Sequence, residues 1–428
     1  MGKTVAEKIL QMASGNGESQ VGELIRVQPE LMPSSNYSIN QTIRAFKRAG
    51  MKSLSFKEKI VIINNASPID SGSQSKDTRL LQKFVKDFGI EHYFELGRSG
   101  IPSKVISENG FIKPGSILIS AEPSYAELGA LSAYVIQNSP NEIALSWATG
   151  EQWVTVPQTV RINLSGKPSQ WTTGIDLALY TLKHLKKPEA EHLLIEVGGE
   201  GLAELPLTER LNFSRTMVDF GYSAVLFEAD NAVVEYLADR SKLEGNYFFP
   251  DEDACYLEEF ELFMENVPVM AAISKDGAEI TIQSVAEIAD FPIQKVFIGG
   301  SSSSHFDDFE NALTVLGYRS LPPMMQAFII PGSNLIFSDL VNNGLASIFL
   351  ELGFEIISSS IYRLLRESAG LFTNDIQVMM TSASLFHSAR STSDHAICLV
   401  NNMTAIASAL NENLTHPREI YEKNLDES

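Results

Sequence analysis

Cysteine is almost missing from this chain of 428 residues, which holds only Cys255 and Cys398. Two thiols with no Cys-x-x-Cys spacing exclude a disulfide framework and any cluster that needs three cysteine ligands. The seven histidines are scattered, so no dense metal signature is left, and no metal or other cofactor is expected. No apolar run reaches the length that spans a bilayer, and the opening MGKTVAEKILQMASG lacks the basic-then-apolar order of a signal peptide. A cytoplasmic protein without membrane contact is expected. Positive charge is also short: 33 Lys and Arg face 53 Asp and Glu, a formal charge of −20. Nucleic acid and anionic membranes both demand a basic surface, so neither is an expected partner. There is no short repeat and no low-complexity segment beyond four serines at 301–304.

What is present is an ordinary globular composition, 44% apolar and 20% charged, long enough for two or three domains with real cores. Helix and strand patterns alternate. Thr4 to Ala13 reads as an amphipathic helix, Gly22 onward as extended, Ile39 to Ala49 as a helix, and Lys59 to Ile63 as an apolar strand. A charged helix near Ser75 to Phe88 and a strand Ser116 to Ser120 follow. Later come the helix Ile175 to Leu185 behind Thr172-Thr173-Gly174 and the strand His192 to Val197. The acidic block Gly245 to Asn266 interleaves carboxylates with aromatic and leucine residues, which suits a solvated helix face or loop better than a metal site.

Three stretches carry candidate chemistry. Lys295 to Gly317, KVFIGGSSSSHFDDFENALTVLG, reads as strand, loop and helix. Its serines are placed to cap a helix N-terminus, a seat for a carboxylate or phosphate; an ordinary serine-rich turn is the alternative. Asn64 and Asn65 lie just past a strand, where open α/β sheets place ligand groups; amides hydrogen-bond a substrate but do not transfer its protons near neutral pH. At the end of the strand Ser116 to Ser120, Glu122, Tyr125 and Glu127 are titratable, and Glu122 with Glu127 is a carboxylate pair whose pKa values would be driven apart if they met. Dipole partners of a helix start are the other reading of those acids.

These stretches resemble elements of the aconitase superfamily, in particular the large subunit of 3-isopropylmalate dehydratase and homoaconitase. IGGSSSSH resembles the family's IGSCTN(G/S)R, with Ser301 where a [4Fe-4S] ligand stands and His305 at the Arg place. Asn64-Asn65-Ala66-Ser67-Pro68 is similar to an Asp-His-x-Thr-Pro-like element, the amides taking the Asp and His places. GRSGIPSKV, Gly97 to Val105, resembles GRGGICHVV, with Pro102 and Ser103 at the Cys and His places. AEPSYAELGALSA, Ala121 to Ala133, resembles GDSHTCTYGALGA, with Glu122 at Asp and Ser124 at His. The run from Ala148 through Val160 to Pro168 also matches. Around Arg210 and Gly221, residues Ser214, Arg215 and Asp219 replace Cys, Asn and Glu; Arg215 is a new cation, either paired with a carboxylate or facing solvent. Pro331-Gly332-Ser333 is intact. The segment Glu355 to Gly370 lacks the family's two further cluster cysteines. In TSASLFHSARS, Thr381 to Ser391, Ser384 takes a substrate-arginine place, the second arginine is lost or displaced to Arg390, and His387 is new.

The resemblance implies an α/β chain of three domains around a central cleft, at 1–157, 158–275 and 276–428, without a swivelling domain and with a separate small subunit as partner. In the family a cluster iron acts as Lewis acid; the replacements imply that this reaction is not performed. The expected function is a cluster-independent lyase or isomerase acting on a small anionic, carboxylated metabolite, in a specialised biosynthetic pathway. Glu122, Tyr125, Glu127 and His305 are the candidate catalytic groups. Asn64, Asn65, Ser103, Ser124, Arg215, Ser301, Ser302, Ser303, Ser304, Ser333 and Ser384 are the candidate substrate contacts. An inactive paralogue that binds a metabolite or a partner, and a new cyclisation or condensation in the same cleft, are the alternatives.

Overall fold

The computed structural model describes residues 2–15, 20–66, 72–95, 97–185, 193–241, 244–275, 279–317, 319–359, 377–390 and 396–427. Ser67, Pro68, His192, residues 360–370 and Ser391 lie outside them. Contacts divide the chain into a first unit, residues 1–165, 188–203 and 221–262, and a second unit, residues 166–187, 204–220 and 263–428.

In the first unit, strands β1 (Leu24–Val27), β2 (Ser34–Ser35), β3 (Val61–Ile63), β4 (His92–Phe94), β5 (Ile117–Ser120) and β6 (Tyr134–Gln137) come before β7 (Gln152–Thr155), β8 (Gln158–Ser165), β9 (Leu193–Gly198), β10 (Ala224–Phe227) and β11 (Glu258–Phe263). β2-β3-β4 is a parallel sheet, β5-β6 a parallel pair, and β10-β9-β8-β11 a four-stranded sheet. A parallel bridge from Leu31 to Leu118 sets β5 in the same direction as the segment leading into β2. The carboxyl ends of β2, β3 and β5 therefore fall on one side, where such sheets place ligands.

Helices α1 (Val5–Ser14), α2 (Ile39–Arg48), α3 (Gly72–Phe88), α4 (Pro102–Glu108) and α5 (Pro140–Thr149) cover these strands. α1 begins where its sequence says: Thr4 caps it, Glu7 reaches back to the Thr4 N–H, and Gly15 ends it left-handed at φ 62°. α2 buries Ile39, Ile43 and Phe46, and the Phe46 ring meets Phe84 and Phe88 of α3 edge-on at 5.7 and 5.4 Å. Gly129, in the 3-10 turn Pro123–Leu131, touches β10 so closely that an added Cβ would stand 1.7 Å from the Val225 carbonyl oxygen. Only glycine fits there. The acidic block departs from the expected helix or loop: Glu258–Phe263 is an edge strand, with Leu262 inside and Glu259, Glu261 and Phe263 outside.

The second unit is built on strands β12 (Met270–Ser274), β13 (Thr281–Ser284), β14 (Lys295–Gly299), β15 (Gln326–Ile330), β16 (Glu355–Ile356), β17 (Val378–Met380) and β18 (Ile397–Leu399). Their order is β13-β12-β18-β17-β14-β15-β16, parallel from β18 to β16 and antiparallel at β12 and β13. Helices α6 (Gly174–His184), α7 (Leu207–Asp219), α8 (Asn231–Ala238, of the first unit), α9 (Phe306–Leu316) and α10 (Asn334–Asn342) precede the helices Ala383–Arg390 and Asn402–Asn411. Phe309, Phe349 and Phe354 pack edge to face in its core. The α/β expectation holds throughout.

Candidate active site

In the first unit Glu122 leaves the end of β5 and turns inward, 1% exposed. Its carboxylate accepts the Ser35 N–H at 2.5 Å, the Ser35 hydroxyl at 2.6 Å and the Ser38 hydroxyl at 2.7 Å. Three donors from the end of β2 and the start of α2 thus fix one carboxylate. Beside it the Tyr125 side chain is wholly buried and its hydroxyl has no partner among the described residues. Burial first, then the Glu122 charge, pushes that phenol well above its ordinary pKa, so it stays protonated.

Further buried polar atoms nearby in the sequence are also without a partner among the described residues: Asn36 Oδ1, Asn65 Oδ1, Ser103 Oγ and Ser124 Oγ. Nearly all buried polar groups in proteins are bonded to protein or ordered water, so each of these atoms is open to a water or a ligand. Asn64 is buried too, its amide 3.4 Å from Tyr93 and from Glu95.

Glu127 is not paired with Glu122. Its Oε2 accepts from Lys104 Nζ at 2.9 Å, and the two side chains are 2% and 1% exposed. Lys104, on α4, was not among the residues picked out by sequence. An isolated lysine in a helix looks solvated, and its partner is 23 residues away.

In the second unit the serine loop is buried and does not cap α9. The cap position is His305, whose N–H donates to Asp308 at 2.8 Å, and the side chain His305 Nδ1 lies 3.3 Å from the same carboxylate. Asp307 and Asp308 both occupy the first turn, so the helix end already faces two carboxylates. The serines bond elsewhere. Ser301 Oγ lies 2.8 Å from both Ser382 Oγ and Ser384 Oγ, and Ser302 Oγ donates to the Thr381 carbonyl at 3.1 Å. Ser303 takes φ 52°, a left-handed conformation uncommon for serine, with its N–H donating to Asn212 Oδ1 at 2.7 Å. Ser304 Oγ is buried and without a partner among the described residues. Ser333 accepts the Ile336 N–H at 3.1 Å and caps α10.

Arg215 does not face solvent. It is 1% exposed and grips Asp219 with two bonds, at 2.9 and 2.8 Å. His387 packs edge-on against Phe220 at 4.6 Å, and its Nε2 has no partner among the described residues. Burial, then the charges of Arg390 and Arg215, lowers its pKa to about 4.

A carboxylate network that sequence spacing does not show joins α6, α7 and α9. Asn212 donates to Asp308 at 2.8 Å and lies 3.5 Å from Glu209, which accepts the Gly174 N–H at 2.7 Å. Burial, then the Asp308 charge, pushes Glu209 up to about 8, from 4.5. The folded state therefore holds this proton where the unfolded chain has released it. The contribution is complete below pH 4.5, falls as pH rises toward about 8 and is then gone. Glu209→Gln should accordingly gain stability relative to wild type as pH rises through that window, by a few kcal/mol in all. Urea melts of both proteins at several pH values check this; parallel curves would contradict it.

The family model described as Aconitase family (aconitate hydratase) matches residues 7–270. The chain belongs to the aconitase family. It is similar to the 3-isopropylmalate dehydratase large subunit of Moorella thermoacetica, 26% identical over 421 residues, covering 98% of this chain and 100% of that one. The 3-isopropylmalate dehydratase large subunit 1 of Pyrococcus furiosus is 25% identical over 420 residues, covering 98% and 99%. The solved aconitase X of Thermococcus kodakaraensis, in its holo-form, aligns with a TM-score of 0.49 at 13% identity over 95% of each chain.

The [4Fe-4S] cluster implied by the resemblance does not fit the donors present. Ser301, at a cluster-ligand place, has a hydroxyl engaged with two other hydroxyls. Cys398 lies inside β18, fully buried, its thiol pushed up by burial, and Cys255 is exposed in the other unit. A cluster of this kind is held by thiolates, and two cysteines so placed do not supply them.

Proposed function

We propose that this chain is a lyase or isomerase acting on a small carboxylated metabolite, and that it works through side-chain acid–base chemistry instead of an iron-sulfur cluster. The observation that carries this is the buried Tyr125 hydroxyl, unpartnered beside a Glu122 carboxylate held by three donors. Glu122 takes a carbon-bound proton; the electrons of that C–H bond form the new double bond as the C–O bond to a hydroxyl breaks. Tyr125 gives its proton to the departing oxygen, which leaves as water, and recovers a proton from Glu122 to close the cycle.

Asn36, Asn65, Ser103 and Ser124 are the groups that would hydrogen-bond the substrate. The relatives are named large subunits, which supports a small subunit as partner of this chain. His305, Ser384 and the serine loop belong to the second unit, and no part in this step is proposed for them.

The test is proton exchange. Hydroxy acids with one to three carboxylates are incubated with the protein in D2O and followed by NMR. Loss of one carbon-bound proton signal is expected for at least one of them. Protein that exchanges none of them, alone or with a co-expressed small subunit, contradicts the reading.

A further inference from the structure

Positive charge on this acidic chain is concentrated in one place. Residues 44–87 hold ten lysines and arginines against four carboxylates, although the whole chain carries −20. On α2, Arg44, Lys47 and Arg48 form one exposed helical stripe, opposite the buried Ile43 and Phe46. On α3, Lys76, Arg79, Lys83 and Lys86 form another, also exposed. The Arg44–Asp77 ion pair, 2.9 Å, and the Phe46 contacts hold the two helices side by side. Between α2 and the start of α5 runs a groove of about 650 Å³, lined by Gln41, Arg44, Lys47, Arg48, Pro140 and Asn141. Leu145, one turn on from Asn141, is 46% exposed.

The cations are strung along two helices and do not converge on a point. A small anion would use two or three of them, whereas an extended acidic surface meets them all. The first unit carries such a surface. Residues 244–262 contain seven carboxylates and no lysine, arginine or histidine. Glu244, Glu252, Asp253, Glu259 and Glu261 are exposed, with Tyr247, Phe249 and Leu257 about half exposed among them. Within its own chain this segment bonds away from α2 and α3, through Asp251 to Lys3 and Lys8 and through Glu261 to Asn163.

We propose that the α2–α3 strip docks the 244–262 surface of a second copy of this chain. Such a contact joins unlike patches, so it closes into a ring or extends head to tail. Opposite charge supplies the orientation and speed of encounter, and the exposed Leu145, Tyr247, Phe249 and Leu257 supply apolar contact. Nucleic acid would meet the same strip against the repulsion of an otherwise strongly negative chain.

Sedimentation velocity on the full chain tests this at about 50 mM and about 500 mM salt, a range over which screening of exposed charges changes strongly. The expected result is assembly at low salt and single chains at high salt. Lys47→Glu/Arg48→Glu, and independently Lys83→Glu/Lys86→Glu, should each weaken association about tenfold or more, since like charges then face each other. Glu252→Lys/Glu259→Lys should weaken it similarly. Mixing that last variant with Lys47→Glu/Arg48→Glu should restore a mixed assembly, because both reversed surfaces are again complementary. A single chain at low salt, an assembly indifferent to these reversals, or a mixture that stays apart overturns the proposal. Assembly abolished by ribonuclease overturns it in favour of nucleic acid.

Discussion

Glu122→Gln should lose proton exchange into substrate by about 10²- to 10⁴-fold, the range for removal of a positioned general base. The substitution keeps shape. Ser35 N–H and Ser38 hydroxyl both aim at Oε1, so the glutamine carbonyl belongs there, and its NH2 then points at the Ser35 hydroxyl, which turns to accept. Folding is therefore preserved while the base is gone. Tyr125→Phe removes the other half of the pair without breaking a hydrogen bond of the hydroxyl, since it makes none to the described residues. It should slow proton exchange and release of the hydroxyl alike, since the C–H and C–O bonds break in one step. An amide variant that retains exchange within about fivefold would place the base elsewhere.

Lys104→Met should be the most damaging change to stability, about 3–5 kcal/mol, because it strands the Glu127 carboxylate in the interior. The other oxygen of that carboxylate has no partner among the described residues, so Lys104 is its one described side-chain cation. The double variant Lys104→Met/Glu127→Leu removes both charges and should recover most of the loss, since a buried ion pair is often no more stable than apolar residues of similar volume. Denaturant midpoints of the wild type, single and double variants give the answer. A single variant within 1 kcal/mol of wild type, or a double variant no better than the single, would show that the pair is not the tie described.

Local pattern made much of the fold readable. The amphipathic pattern from Thr4 to Ala13 announced α1, and Thr173 caps α6 as its position suggested. The run from Lys295 to Gly317 is the strand, loop and helix its hydrophobic spacing implies. Partnerships between distant residues were not readable. Ser303 depends on Asn212, 91 positions away, and Asp308 on the same residue from 96. The serines looked like caps because capping is a local rule, yet Asp308 reached the cap position first. Arg215 looked solvated because a charged residue on a helix usually is; its bidentate partner sits one turn on, and both are inside. The edge strand Glu258–Phe263 hid behind its own charge, although Phe260 and Leu262 alternate with Glu259, Glu261 and Phe263 at period two. Glu122 and Tyr125 stand out in the sequence by their place at a strand end, and the structure buries both, whereas Lys104 and Glu209 show themselves only through what they touch.

The claim that activity here belongs to side chains is tested most directly by anaerobic incubation of the purified chain with iron and sulfide, followed by an iron count and a visible spectrum. Protein that emerges without bound cluster absorbance, and with its substrate exchange unchanged, is the predicted result. A stoichiometric four-iron cluster that brings exchange with it would contradict the account.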